Sequence, residues 1–182
     1  MVLREEPRAL EQLGRVQQLV EQMNWVLSDA VHLIQAAPTN PQVLDLHELL
    51  TQALSDRPDS SARLQPDFTE ETVLVRLDAA QAGHLIRSVI LILSALAKDQ
   101  DIIVRTRAEN GEAFLEFLVP DLDAGQADLD RLFEPFAPGL ISGAGMSLAG
   151  AKRIAEFNGG RMQARSESGR GTLLRSAFPL AG

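Results

Sequence analysis

The stretch Asn158-Gly159-Gly160-Arg161-Met162-Gln163-Ala164-Arg165-Ser166-Glu167-Ser168-Gly169-Arg170-Gly171-Thr172 carries the decisive reading of this chain. Asn158-Gly159-Gly160 reads as the end of a helix, because asparagine and glycine tolerate the left-handed backbone that closes one. A strand is predicted over Arg161 to Ser166 and a second over Thr172 to Phe178, joined by a turn at Gly169 and Gly171. The helix that feeds them is predicted from about Met146 to Phe157.

Working outward, Pro120 to Ala144 is loop-rich and holds a short amphipathic piece around Leu129 to Phe133. Before it, Ile102 to Thr106 and Ala113 to Val119 flank Asn110-Gly111, the strongest hairpin signal in the chain. A long apolar helix is predicted from about Ala79 to Ala97, two short strands over Arg63 to Gln65 and Val73 to Leu77, and a short helix from Asp45 to Leu54. Helices mixed with antiparallel hairpins predict an α+β fold, a two-layer α/β sandwich whose mixed sheet is covered by helices on one face.

A long N-terminal amphipathic helix precedes this unit. From about Pro7 to Ala37, apolar residues recur at Leu13, Val16, Val20, Met23, Leu27, Ala30 and Ile34, alternating three and four steps. Leu19, Val26, Val31 and Leu33 widen the stripe beyond a two-stranded seam, so the helix is expected to pack in a bundle or along its own domain as well. Pro38-Thr39-Asn40-Pro41 stops it, because proline removes a donor and biases its predecessor away from helix. The expected organisation is an association helix over 1–38, a linker over 39–43 and a folded domain over 44–182.

Bulk properties narrow the function classes. A net charge of -8 gives no general attraction to nucleic acid or anionic lipid. The chain has no cysteine, hence no disulfide framework and no thiolate chemistry, and its three histidines lack metal-ligand spacing. No run of apolar residues is expected to reach membrane-spanning length, and the start turns acidic at Glu5-Glu6 where a signal peptide would become apolar. A soluble cytoplasmic protein is expected.

Four ordered stretches carry a family resemblance. They are Val119-Pro120-Asp121-Leu122-Asp123-Ala124-Gly125, then Leu132-Phe133-Glu134-Pro135-Phe136, then Gly143-Ala144-Gly145-Met146-Ser147-Leu148, then the Asn158 to Thr172 stretch quoted above. Their order and spacing resemble the ATP-binding catalytic domain of sensor histidine kinases, of the histidine kinase and gyrase type (the Bergerat fold). The resemblance covers about three quarters of the chain and is faint before Asp78.

The resemblance implies a nucleotide site and shows where it has eroded. In the family's first loop, Asp-x-Gly-x-Gly, the carboxylate meets the adenine amino group; here that implies Asp121, with Gly125 as the second glycine. The first glycine is Asp123, whose Cβ and charge either block the base or reshape the loop. The second box implies Gly143 and Gly145 at the phosphates, with Ser147 in place of the third glycine at a helix start that offers free N–H groups. The family's magnesium asparagine aligns with Ser94, and one turn earlier stands Ile90, which has no ligand atom. Magnesium wants oxygen ligands in strict geometry, so binding should weaken. The short lid Ala137-Pro138-Gly139-Leu140-Ile141-Ser142 has no cation for a γ-phosphate. Lys152 and Arg153 read as a solvated helix face.

No histidine fits the phosphoacceptor pattern. His47-Glu48-Leu49-Leu50 lacks the arginine and proline that follow in the family, and reads as an ordinary surface histidine. His32 lies off the heptad stripe, and His84 opens the long helix as a partly buried or capping residue. The N-terminal helix resembles the second helix of a kinase dimerisation hairpin. Without a first helix in the sequence, it is expected to fold back on its own domain, pair with a second copy or meet another protein, such as a sensor kinase or response regulator.

Taken together, the residues imply a degenerate kinase-like domain acting as a regulator or scaffold, with no catalytic residue, no metal site and no resident cofactor. ATP with magnesium enters only if the eroded site is still competent. The alternatives are an ATP-binding kinase domain that phosphorylates a partner histidine, and a kinase-derived phosphotransfer protein.

Overall fold

A computed structural model describes residues 6–34, 40–55, 63–68, 72–135 and 148–182. Along the chain these form α1 (Glu6–Ile34), β1 (Pro41–Asp45), α2 (Leu46–Ser55), β2 (Arg63–Phe68), β3 (Leu74–Asp78), α3 (Ala79–Ala97), β4 (Asp101–Glu109), β5 (Glu112–Val119), α4 (Gln126–Arg131), α5 (Ala149–Phe157), β6 (Arg161–Glu167) and β7 (Gly171–Pro179). The main sheet has five strands in the order β2-β4-β5-β7-β6, with β2 and β4 parallel and the other pairs antiparallel. A second, two-stranded sheet pairs β1 with β3.

Strand alternation decides which face is covered. Ile102, Val104 and Thr106 of β4, Leu115 and Phe117 of β5, Leu174 and Phe178 of β7, and Met162 and Ala164 of β6 are buried. They meet the apolar faces of α2, α3 and α5, including Leu50, Leu85, Ile86, Val89, Leu93 and Ile154, in one core. Burying each such side chain contributes roughly 1.5–3 kcal/mol against leaving it in water. The α/β sandwich expected from the sequence is thus the observed fold.

Local chemistry explains the joints. Asn110 and Gly111 both take positive φ, 52° and 80°, as a tight hairpin with right-handed twist requires. Asp78 caps α3, its Oδ1 accepting from the N–H groups of Ala80 and Gln81 at 3.0 and 3.2 Å, which satisfies two donors that the first helical turn leaves open. Asp78 Oδ2 also accepts from Asn40 N–H at 2.9 Å.

Two sequence expectations change here. Residues 41–43, expected as linker, belong to β1, whose Pro41 pairs with Asp78; proline is tolerated there because it opens the strand. And α3 is, by length and composition, apolar enough to cross a membrane, with mean hydropathy 1.5 over its window. Its apolar residues are spent instead on the core, where Leu85, Ile86, Val89, Ile92 and Leu93 are buried. At the other end of the chain, α1 packs alongside α5, while Leu13, Val16, Val20, Met23, Leu27 and Ile34 remain exposed, Ile34 at 82%.

Candidate functional site

The loop after β5 is held from behind by β6 and β7. Leu122 N–H donates to Val119 O at 3.3 Å, making a turn. Thr172 Oγ1 donates its one proton to Leu122 O at 2.7 Å and is hydrogen-bonded to Ser166 Oγ at 3.0 Å, where it serves as the acceptor, and Ser166 Oγ accepts from Ala124 N–H at 3.2 Å. Gly171 makes this closeness possible. It sits at φ 89°, and a Cβ there would come within 2.2 Å of Val119 O. Only glycine fits such an approach. Along the loop, exposure alternates: Asp121, Asp123 and Gly125 face solvent, whereas Leu122 and Ala124 are half-buried against the core. Gly125 opens α4 at ordinary φ, -61°, and a Cβ there would meet Asp128 Oδ2 at 3.6 Å, an ordinary contact.

The level of α3 that the resemblance implies for the metal offers little to a cation. Ile90 is 6% exposed and belongs to the core. Ser94, one turn later, is half-buried, and its Oγ has no hydrogen-bond partner among the described residues. Ser88, six residues earlier on the same helix, behaves differently: its Oγ donates to His84 O at 2.8 Å. At this level the helix therefore supplies one neutral hydroxyl and one alkyl group. The set suits octahedral magnesium poorly, since that ion favours carboxylates, phosphate oxygens and retained waters. No group of three or more His, Asp or Glu side chains is placed to hold a metal among the described residues.

The surroundings are acidic. Between residues 121 and 134, Asp121, Asp123, Asp128, Asp130 and Glu134 are all exposed, against the single base Arg131. Lys152 of α5 stands over the Phe133 ring at 5.3 Å, and Arg153 over Phe157 at 4.0 Å while pairing with Glu156 at 3.6 Å. Both cations, expected as a solvated face, are thus engaged with aromatic rings.

No protein-family profile matches the chain. The sensor histidine kinase ZraS of Klebsiella oxytoca is 28% identical over 171 residues, covering 89% of this chain and 36% of its own length. The signal transduction histidine-protein kinase ArlS of Staphylococcus epidermidis is 25% identical over 188 residues, covering 94% and 39%. This chain therefore spans little more than a third of these relatives. Among solved structures, full-length ShkA in complex with AMPPNP superposes with a TM-score of 0.78 at 20% identity, covering 98% of this chain and 39% of that one. A mycobacterial sensor histidine kinase, MprB, superposes at 0.65 with 19% identity, covering 78% and 98%. The chain has the fold of a histidine kinase ATP-binding domain.

Within this kinase-type domain, the residues implied as nucleotide contacts separate into three groups. Asp121 and Gly125 share one loop, with the carboxylate in solvent. Ser94 lies on α3. Gly143, Gly145 and Ser147, together with the lid, lie outside the described residues. Sequence reasoning passed over the two hydroxyls that hold the loop, Ser166 and Thr172. Their signal was present: Ser166 and Thr172 flank the glycine turn as its only buried or half-buried polar side chains, but a hydroxyl's partner is set by strand register, which spacing does not reveal.

The histidine readings also change. His47 is not a free surface residue. Its Nε2 is hydrogen-bonded to the buried Thr106 Oγ1, and its ring stacks on Phe68 at 5.0 Å. His84 is 4% exposed within α3. The reading of the His32 side chain lies outside the described residues. Asn158, besides ending α5, ties that end to the start of α3: its Nδ2 donates to Gln81 Oε1 at 3.1 Å and its Oδ1 accepts from Asp78 N–H at 3.4 Å.

Proposed function

We propose that this chain is a histidine-kinase-like domain of two-component signalling that has lost its nucleotide chemistry and acts by binding, as a regulator or scaffold. The observation that carries the reading is the pair on α3. Ile90 is sunk in the core and Ser94 presents a lone hydroxyl, where phosphoryl transfer needs a metal to offset phosphate charge. The exposed carboxylates from Asp121 to Glu134 support it, since like charges raise the cost of bringing in a polyphosphate.

The binding surface in this reading is α1. A row of exposed leucine, valine and methionine along one helix exceeds what a monomer ordinarily leaves in water, and its heptad spacing suits a second copy or a partner's helix. Residues 1–38 would then be an association helix, the remainder from β1 onward a kinase-like domain, and the cytoplasm the site of action. A phosphotransfer role through His47 is disfavoured, because Thr106 and Phe68 already engage that ring.

The second reading, an ATP-binding kinase acting on a partner histidine, is favoured by one observation: the unpartnered Ser94 hydroxyl is left available for a ligand. Calorimetric titration with ATP and magnesium decides between them. The binding reading expects no metal-dependent affinity tighter than about millimolar, with a gain of about tenfold or more in the Ser94→Asn, Asp123→Gly double variant. Micromolar, magnesium-dependent binding by the natural chain, abolished by Asp121→Asn, would overturn it.

A further inference from the structure

We infer that the uncovered face of the sheet holds an anion site, formed by Arg161, Arg165, Arg170 and Arg175, that takes a compact ligand carrying an oligophosphate group. These four, with Gln163 and the single acid Glu167, line a depression of about 600 Å³ that also includes Leu118 and Leu173. That volume lies within the range of small-ligand sites.

Strand register creates the convergence. Gln163 pairs with Arg175, while Arg161 and Arg165 pair with Ala177 and Leu173. Arg175 is therefore diagonal to both Arg161 and Arg165, at the roughly 7–8 Å spacing of such neighbours. Three like charges on adjacent strands oppose folding unless something offsets them. Glu112 does so for Arg161 through two hydrogen bonds, and Glu116 for Arg175. Arg170 meets Glu167 at 3.0 Å, but this pair is exposed at 81% and 63% and exchanges readily with another anion. Among the described residues Arg165 pairs with no carboxylate, and its hydrogen bond is to Gln163 Oε1 at 3.4 Å. Two guanidinium forks are thus available beside Leu118 and Leu173, on a chain whose net charge is -8. Forked N–H donors match phosphate oxygens in pairs, and the two leucines offer contact to an organic moiety. The depression lies across the sheet from α3, so it is separate from the site implied by the family and does not rest on the function proposed above.

The test is titration of the full chain with inorganic tripolyphosphate, read by calorimetry and by amide shifts in NMR. Binding is expected to weaken about tenfold or more in the Arg165→Gln, Arg170→Gln double variant, with shifts confined to Phe117–Val119 and 161–175. Both positions are exposed, and unchanged thermal unfolding of the variant confirms that its fold is intact. No binding, equal binding by the variant, or shifts centred on Ser94 or Asp121 would overturn the site. Citrate bound as tightly, with the same dependence on the two arginines, would overturn the phosphate assignment.

Discussion

At the scale of the residue, one hydroxyl does more for the candidate site than the acid it serves. Thr172 donates to Leu122 O and is hydrogen-bonded to Ser166 Oγ, and Ser166 in turn accepts from Ala124 N–H. Thr172→Val keeps the shape but leaves the half-buried Leu122 carbonyl without its donor and the Ser166 hydroxyl without its partner. Denaturant unfolding should show a loss of about 1–3 kcal/mol, whereas Asp121→Asn, in solvent, should stay within about 0.5 kcal/mol. Equal effects would mean that the strap does not hold the loop. The contrast also shows what the sequence made legible. Asp121 stands out because a carboxylate beside spaced glycines is a local pattern. Its exposure, and the inward turn of Leu122, depend on β7 lying behind the loop, a contact between residues some 50 positions apart.

At the scale of the element, prediction succeeded where one short signal decides the outcome and failed where a partner does. Asn110-Gly111 located the β4–β5 hairpin because its positive φ values are local demands. Residues 41–43 looked like a linker because two prolines flank Thr39-Asn40, yet pairing with β3 makes them a strand. His47 looked free because nothing nearby in sequence announces Thr106 or Phe68. On the uncovered face, strand pairing brings Arg161 to Glu112, and the hydrogen bonds hold that carboxyl below its ordinary value of 4.5. A depressed carboxyl stabilises the fold above the unfolded pKa, and that contribution disappears as pH falls through the folded one. The stability difference between the natural chain and Glu112→Gln should therefore be constant at neutral pH and shrink once the pH drops below about 4.5, as followed by thermal unfolding. A difference that grows on acidification would exclude the pair as its source. The Arg107 guanidinium, by contrast raised by its hydrogen bond to Glu116, stays charged throughout this range.

At the scale of the whole molecule, the domain's own core is complete while α1 is not. The helix touches α5 and keeps Val20 at 50% and Leu27 at 62% exposure. If α1 is the association surface, Val20→Glu with Leu27→Glu should convert an oligomer to a monomer, or abolish partner capture, in sedimentation and pull-down measurements, with the unfolding transition unshifted. An unchanged sedimentation coefficient and unchanged capture would count against it. The strand order carries a different kind of consequence. Because β7 lies between β5 and β6, the ribosome delivers β6 before its only neighbour exists. The two strands are joined by a three-residue turn and pair as a hairpin, so the sheet closes only when the far edge of β7 docks on β5, a step that belongs to the last strand of the domain.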